Sequence, residues 1–368
     1  MRTDLIYSIG FSHFLGIGPM RFQSLIAGRS IEEAYHLPAA QLTELIGPRL
    51  TDRFVSFRQS FKPEQKLAEY NDRNISVVPF NSEHYPQQLS VLSDAPICLY
   101  IKGNLEALTR QEQCYVGIVG TRRSTGGGVR ITQQMVTDLA KRCRETVVVS
   151  GLAYGIDATA HRTAIEQGIP TVAFLGCGVD IPYPSENRFL YNEIIARGGV
   201  VVSEFPPGQM VAPGLFISRN RLISGLSRGV VIVEGSKKSG SLITARYAAE
   251  QGKDVFAVPG SPLIEQSEAP NMLIKEGAIC VTQITDIGDA FGYGVARDEM
   301  RSFGYAMSAE ELRVFRYLEN APRRVDEIVQ QFQCPTVSVM TLLSQLELEG
   351  CVERGLDDRY GARAGKRV

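Results

Sequence analysis

Nine short runs of β-branched and apolar residues recur between helical stretches through the middle of the chain, and this rhythm constrains the fold more than any other feature. The runs cover residues 75–79, 97–101, 116–119, 147–149, 171–175, 200–202, 230–233, 255–258 and 278–281. Runs that are apolar at every position suit strands buried on both faces. Helical periodicity fills the intervals at 127–143, 157–167, 185–197, 219–226 and 242–251. Strand and helix alternating in this way predict an α/β fold, a doubly wound parallel sheet with helices on both faces. The two earliest runs extend that sheet.

The flanks have other patterns. Residues 1–61 lack strand alternation and read as short helical hairpins, punctuated by Gly16-Ile17-Gly18-Pro19 and Gly47-Pro48. The sheet domain is expected over 62–290, followed by a Gly-containing linker at 291–307. Residues 308–368 predict three helices and a strand hairpin, the order of a winged helix. Ser308 reads as the N-cap of the first helix, with acidic residues in its first turn. The third helix, 336–349, is expected to place Val337, Met340, Leu343 and Leu346 on one face.

Composition narrows the function classes. Apolar residues make up 44% of the 368-residue chain, enough for a large core, so a mostly disordered chain is excluded. The 39 Lys and Arg nearly balance 40 Asp and Glu, which excludes indiscriminate polycationic binding but leaves room for a local basic patch. Trp is absent, so any stacking falls to Phe or Tyr. Seven Cys without a CxxC pair, and four scattered His, read as packed reduced thiols and argue against a zinc site. No signal peptide and no apolar run of membrane-spanning length is read, so a cytoplasmic protein away from the membrane is expected.

Chemistry is expected where the central strands end. Each runs into a Gly-rich or small polar turn: Gly120-Thr121-Arg122-Arg123, Ser150-Gly151, Gly176-Cys177-Gly178, Ser203-Glu204, the 234–241 turn and Pro259-Gly260-Ser261. A parallel sheet gathers these turns along one rim, and ligands of such sheets bind there. Glycine lets backbone amides approach a ligand, and helix N-termini favour anions, phosphate above all. Neither GxGxxG nor the P-loop pattern is met, and Arg122 stands where a nucleotide fold keeps Gly. Arg122, Arg123, Arg219, Asn220, Arg221, Lys237, Lys238 and Lys275 supply cations and an amide. Phe216, just before Arg219-Asn220-Arg221, either stacks a base or packs in the core.

These blocks, ordered from about residue 84 to 281, resemble the DNA processing protein A (DprA/Smf) family. The resemblance rests on Tyr85-Pro86, Asp94-Ala95-Pro96, Ile118 to Arg122, Ser150 to Asp157 with His161, Tyr183-Pro184 with Asn187, Ser203-Glu204, Arg219 to Ile223, Ser239 to Ala245 and Val258 to Gly260. Three stretches depart from the family pattern: Phe216-Ile217-Ser218 replaces Phe-Pro, Ala269-Pro270-Asn271 replaces Gly-x-Asn, and Gly126-Gly127-Gly128 replaces an aromatic-Gly pair.

The resemblance implies an extended Rossmann-like domain that binds single-stranded DNA and forms a homodimer, with no cofactor and no catalysis. It also implies a SAM-like N-terminal helical domain and a C-terminal winged helix. Such proteins protect incoming single strands and help load RecA recombinase in natural transformation. The residues singled out for single-stranded DNA are Gly120, Thr121, Arg122, Ser150, Gly151, Phe216, Arg219, Asn220, Arg221, Lys238, Ser239, Gly240, Ser241, Thr244, Asn271 and Lys275.

Other readings stay open at this point. One is a nucleotide-processing hydrolase similar to the cytokinin-activating phosphoribohydrolases, although Ile243 and Thr244 occupy the positions of its carboxylates. Asp157, Glu204 and Glu234 are the acids left at the rim, either for catalysis or for bonding turn amides and Arg. A purely structural interaction protein is the third. The turn at Gly16-Ile17-Gly18 either offers amides to phosphate or simply joins helices. The winged helix is expected to have a protein-contact or regulatory role rather than to read duplex sequence, because 336–349 contains no Lys or Arg, while a basic tail (Arg359, Arg363, Lys366, Arg367) adds weak attraction to DNA.

Overall fold

The structure, a computed structural model, describes residues 2–109, 113–143, 145–283, 285–292, 308–348, 351–355 and 358–362. It contains two compact units, residues 1–294 and 295–368. The 291–307 linker lies mostly outside the described residues, as do Gly350 and the tail cations Arg363, Lys366 and Arg367.

The first unit is built on a nine-stranded sheet. Its strands are β1 (Ser76–Pro79), β2 (Cys98–Gly103), β3 (Cys114–Val119), β4 (Thr146–Ser150), β5 (Thr171–Phe174), β6 (Val200–Ser203), β7 (Gly229–Ile232), β8 (Asp254–Ala257) and β9 (Ile279–Cys280). Their order is β1-β2-β6-β5-β4-β3-β7-β8-β9. All nine expected runs are strands. Seven run parallel, and the two early strands extend the sheet antiparallel beyond β6.

Along β3 successive side chains serve opposite faces, as a pleated strand requires. Val116 and Ile118 join a core with Met135, Val136 and Leu139 of the Gly126–Arg142 helix, whereas Tyr115 and Val119 join one with Leu222, Ile223 and Ala245. Helices therefore cover both faces. The Pro213–Leu226 helix begins six residues earlier than the periodicity indicates. Pro213 at its first turn pre-sets the backbone, and Phe216-Ile217-Ser218 lies within the helix rather than in a turn.

The N-terminal helices are packed into this same unit. Phe11, Phe22, Phe54 and Tyr70 share one core with Tyr100 of β2 and with Leu175 and Val201. His13 Nε2 meets the Tyr70 hydroxyl at 2.7 Å, and Arg73 pairs with Asp180. The Gly16-Ile17-Gly18 turn buries Ile17, and the Gly16 carbonyl accepts a hydrogen bond from Arg21.

The second unit has its own core of Val314, Phe315, Leu318, Ile328, Val339, Leu343, Leu346 and Tyr360. Its helices are Ala309–Asn320, Val325–Phe332 and Thr336–Leu348, followed by the antiparallel pair β10 (Val352–Arg354) and β11 (Tyr360–Ala362). Ser308 caps the first helix: its hydroxyl accepts from the Glu311 amide, and the Glu311 carboxylate accepts from the Ser308 amide. The third helix corrects one expectation. Val339, Leu343 and Leu346 form its buried stripe, whereas Val337 (77% exposed) and Met340 (52%) lie off it. Steps of four and three residues keep the stripe on one side, and at 100° per residue positions 337 and 340 turn away from it.

Candidate nucleic-acid interface

The strand order reverses at β3. From there the chain winds out through β4, β5 and β6, then returns to place β7 on the other flank of β3. The turns after β3 and β7 part toward opposite faces and leave a crevice, the usual ligand position in such sheets. A cavity of about 540 Å³ occupies it. Gly120, Thr121 and Arg122 line it from the β3 turn, and Ser239, Gly240, Ser241 and Thr244 from the β7 turn and the helix that follows. Phe216, Arg219 and Asn220 close it from the Pro213–Leu226 helix. The start of the Ser241–Glu250 helix faces the cavity and contributes partial positive charge.

The neighbouring Ser150–Gly155 turn is held by side chains below it. The Gly151 amide donates to Asp157 Oδ2 at 3.1 Å, and the Leu152 amide donates to His161 Nε2 at 3.3 Å. With Nε2 accepting, the imidazole proton sits on Nδ1, which faces Thr171 Oγ1 at 2.7 Å. Burial drives the His161 pKa down to about 3, so the ring is neutral. Asn187 Nδ2 donates to the Leu152 carbonyl at 2.9 Å. These bonds fix Leu152 in the left-handed region (φ 56°), where a branched side chain is strained. Gly155 (φ 74°) completes the turn, and a Cβ there would stand 2.3 Å from the Thr121 carbonyl oxygen.

Two arginines set the electrostatics. Arg122 is exposed, with its guanidinium 5.8 Å from the centre of the Phe216 ring. Arg219 is 4% exposed; Nη1 donates to the Phe174 carbonyl at 2.9 Å, and Nε has no partner. Burial lowers its pKa to about 10 against the opposing pull of Asp157, so it remains charged at neutral pH. Phe216 is half-buried and lines the cavity, with its ring 5.2 Å from that of Tyr183. Tyr183 and Tyr154 border a small side recess with it. In the sequence these two tyrosines stand only within the Ser150–Asp157 stretch and the Tyr183-Pro184 pair, with no mark of a ligand group.

Several expected site residues lie elsewhere. Arg221 does not line the cavity: it is buried and bonded to Asp94 and Glu204. On a helix, positions 219 and 221 are about 200° apart, so both cannot face one cavity. Ser150 is buried beneath the rim, and its hydroxyl donates to the Ile118 carbonyl at 2.7 Å. Asn271 is spent on a two-way hydrogen bond with Gly260. Lys275 stands in the last turn of the Glu268–Lys275 helix, whose first turn bonds to Gly235, so its Cα is a helix length from the rim. Lys238 is exposed on the turn that borders the cavity.

The rim acids are engaged in structure. Asp157 holds the Gly151 amide, Glu204 holds Arg221, and Glu234 accepts from the Thr125 amide and hydroxyl. Among the described residues there is no cluster of His, Cys, Asp and Glu suited to a metal ion, and no helix long and apolar enough to cross a membrane. A second cavity, about 580 Å³, opens between the Ser241–Glu250 and Glu268–Lys275 helices. Its lining is largely apolar and it sits at the β8–β9 edge. The switch point and the buried guanidinium favour the first cavity as the anion site.

Comparison with known proteins places the chain in a family. Residues 76–292 match the family described as DNA recombination-mediator protein A, and residues 305–356 match the DprA winged helix domain. The chain belongs to the DprA/Smf family. It is 37% identical to Protein Smf of Escherichia coli over 288 residues, 78% of this chain and 74% of that one. With the DNA processing protein DprA of Streptococcus pneumoniae it shares 42% identity over 203 residues, 55% of this chain and 70% of that one. The X-ray structure of that DprA matches with a TM-score of 0.67, covering 77% of this chain and 96% of that one at 34% identity. DNA processing protein A from Helicobacter pylori matches with a TM-score of 0.53 at 32% identity, covering 59% of this chain and 95% of that one; its structure describes a single-stranded DNA binding mode. As a DprA/Smf member the chain pairs a mixed α/β domain with a winged helix.

Proposed function

We propose that the cavity at the β3–β7 switch point binds single-stranded DNA, and that the protein acts as a non-enzymatic recombination mediator. The observation that carries this reading is the convergence of Arg122, Arg219, a half-buried Phe216 and a helix start on one crevice. Cations and a helix start attract phosphate, and an aromatic face accepts any base, which together give binding without sequence preference. A flexible single strand can bend into a concave rim that a rigid duplex cannot easily enter. Gly120, Thr121, Asn220, Ser239, Gly240, Ser241 and Thr244 surround the bound strand, and Lys238 lies at the margin. Gly151 and Ser150 support it from below.

On the same reading the protein is cytoplasmic, shields incoming strands and helps load RecA recombinase in natural transformation. It forms a homodimer through the extended Rossmann-like domain, 62–290, with 1–61 as a SAM-like helical cover. The H. pylori relative's described binding mode supports the ligand class. The test is a mobility shift with single- and double-stranded oligonucleotides of equal length, alongside a nucleotide-hydrolysis assay. Preference for single strands without hydrolysis is expected. Equal affinity for duplex, or turnover of a nucleotide abolished by Asp157→Asn, overturns the reading. Assembly and recombinase partnership are read by sedimentation and by co-purification with RecA.

A further inference from the structure

We infer that Gly151 is a positioning residue: its missing side chain is the slot that seats the Arg219 guanidinium at the floor of the cavity. This rests on the DNA-binding reading above and assigns to one glycine the depth at which that site holds its cation.

The geometry is specific. A Cβ built on Gly151 would stand 1.6 Å from Arg219 Nη1, 2.4 Å from Cζ and 2.6 Å from Nη2. The guanidinium therefore lies directly against the Gly151 backbone. The Gly151 amide is already committed to Asp157 Oδ2, so it is not free to meet a phosphate. Gly151 has an ordinary backbone conformation, unlike its neighbours Leu152 and Gly155. Alanine is compatible with that backbone, and the three atoms nearest to a methyl group there all belong to the Arg219 guanidinium. The obstructing atoms are the far end of a flexible side chain, which can swing away while the fold persists.

The slot also explains how a charged group stays nine-tenths buried. Nη1 of Arg219 donates to the Phe174 carbonyl, and Nε is unpartnered among the described residues. Asp157 offsets part of the burial cost through its charge on Arg219 while it holds the Gly151 amide. One carboxylate thus fixes the turn and faces the cation that the turn admits. An arginine so placed delivers charge to one phosphate deep in the crevice, whereas Arg122 stays exposed at the mouth.

The test is a double-mutant cycle on the full chain: wild type, Gly151→Ala, Arg219→Ala and the pair, each titrated with single-stranded oligonucleotide over a salt series. Gly151→Ala and Arg219→Ala are each expected to weaken binding about tenfold and to lower the salt slope equally, with the pair no weaker than either single variant. Should Gly151→Ala fail to fold, the pair is expected to fold, because removing the guanidinium makes room for the methyl group. Wild-type affinity in Gly151→Ala, a full additional loss in the pair, or a pair that also fails to fold overturns the inference. Arg122→Ala serves as the outside reference. If it and Arg219→Ala both bind normally, the DNA-binding reading itself is wrong; if they weaken binding and the cycle is additive, only the slot is wrong.

Discussion

Arg221 and Glu204 face each other through two parallel hydrogen bonds, Nη1 to Oε1 at 2.9 Å and Nη2 to Oε2 at 2.8 Å, with both side chains less than a tenth exposed. Asp94 adds its carboxylate to Nε at 2.7 Å and its carbonyl to Nη2 at 2.8 Å. The pair ties the Pro213–Leu226 helix to the end of β6, which aims Arg219 and Asn220 of the same helix at the cavity. Removing one partner leaves the other charged and buried. Glu204→Ala is therefore expected to cost about 3–5 kcal/mol of stability, measured by urea unfolding. Arg221→Ala should cost a similar amount. If Arg221→Ala keeps full stability and loses DNA affinity, Arg221 is a contact residue after all.

Arg122 should behave in the opposite way. It is exposed at the mouth of the cavity, so Arg122→Ala is expected to leave unfolding unchanged. Its loss should weaken single-strand binding and lower the slope of log affinity against log salt by about 0.7, the share of one phosphate on a single strand. An unchanged slope would remove Arg122 from the site.

Phe216 is only half-buried and lines the cavity, which separates stacking from core packing. Phe216→Ala is expected to cost about 1–3 kcal/mol of DNA affinity. Gly176 packs directly against Phe216, and Phe216→Leu should preserve that packing and still lose most of the stacking. A Leu variant that binds as wild type would make the ring a packing element only.

Much of this was legible in the sequence because strand runs buried on both faces leave an unbroken apolar signature. Val147, Val148 and Val149 are one such run, and all three are fully buried. The convergence of turns followed from parallel topology alone. What the chain could not show was which way neighbouring side chains point. Arg219-Asn220-Arg221 reads as one basic triplet, yet a helix sends its two arginines to different places, one into the cavity and one into an ion pair. Asn271 and Lys275 lie away from the cavity for a similar reason: sequence proximity to the rim loops says nothing about the direction in which a helix leaves them. The SAM-like helical domain expected over 1–61 shares its core with Tyr100 of β2, a long-range contact that local periodicity does not encode.

His161 makes the stability of the first unit sensitive to acid. Its ring is neutral in the folded protein because burial drives its pKa to about 3, whereas an unfolded chain titrates near 6.5. Below pH 6.5 the unfolded state binds a proton that the folded state refuses. The stabilising contribution is thus complete above pH 6.5 and is lost as the pH falls toward 3. Between pH 7 and pH 5 the loss should be about 2 kcal/mol. Asp157, whose carboxyl is raised by burial, opposes the trend at lower pH, so the comparison must be with a variant. His161→Gln is expected to be less stable at pH 7 and to lose less on going to pH 5, read by urea unfolding at each pH. Parallel losses in the two proteins would contradict the burial argument.

The winged helix carries the last expectation. Its third helix, Thr336–Leu348, holds no Lys or Arg, has Glu347 near its end, and exposes Val337 and Met340. A major groove lined with phosphate offers nothing to such a surface, since groove-reading helices rely on cations and amides. Of the cations around it, Arg323 pairs with Glu327 and Arg354 with Asp358. We expect this unit to contact protein rather than to read duplex sequence. The full chain and a chain ending at residue 294 should then bind a single-stranded oligonucleotide with affinities within about threefold of each other. Both should bind duplex weakly and lose that binding as salt rises. Val337→Ser with Met340→Ser, which alters only exposed positions, should leave both DNA affinities unchanged. Sub-micromolar, sequence-dependent duplex binding by the full chain, absent from the shorter one, would show instead that the helix reads DNA through apolar contacts.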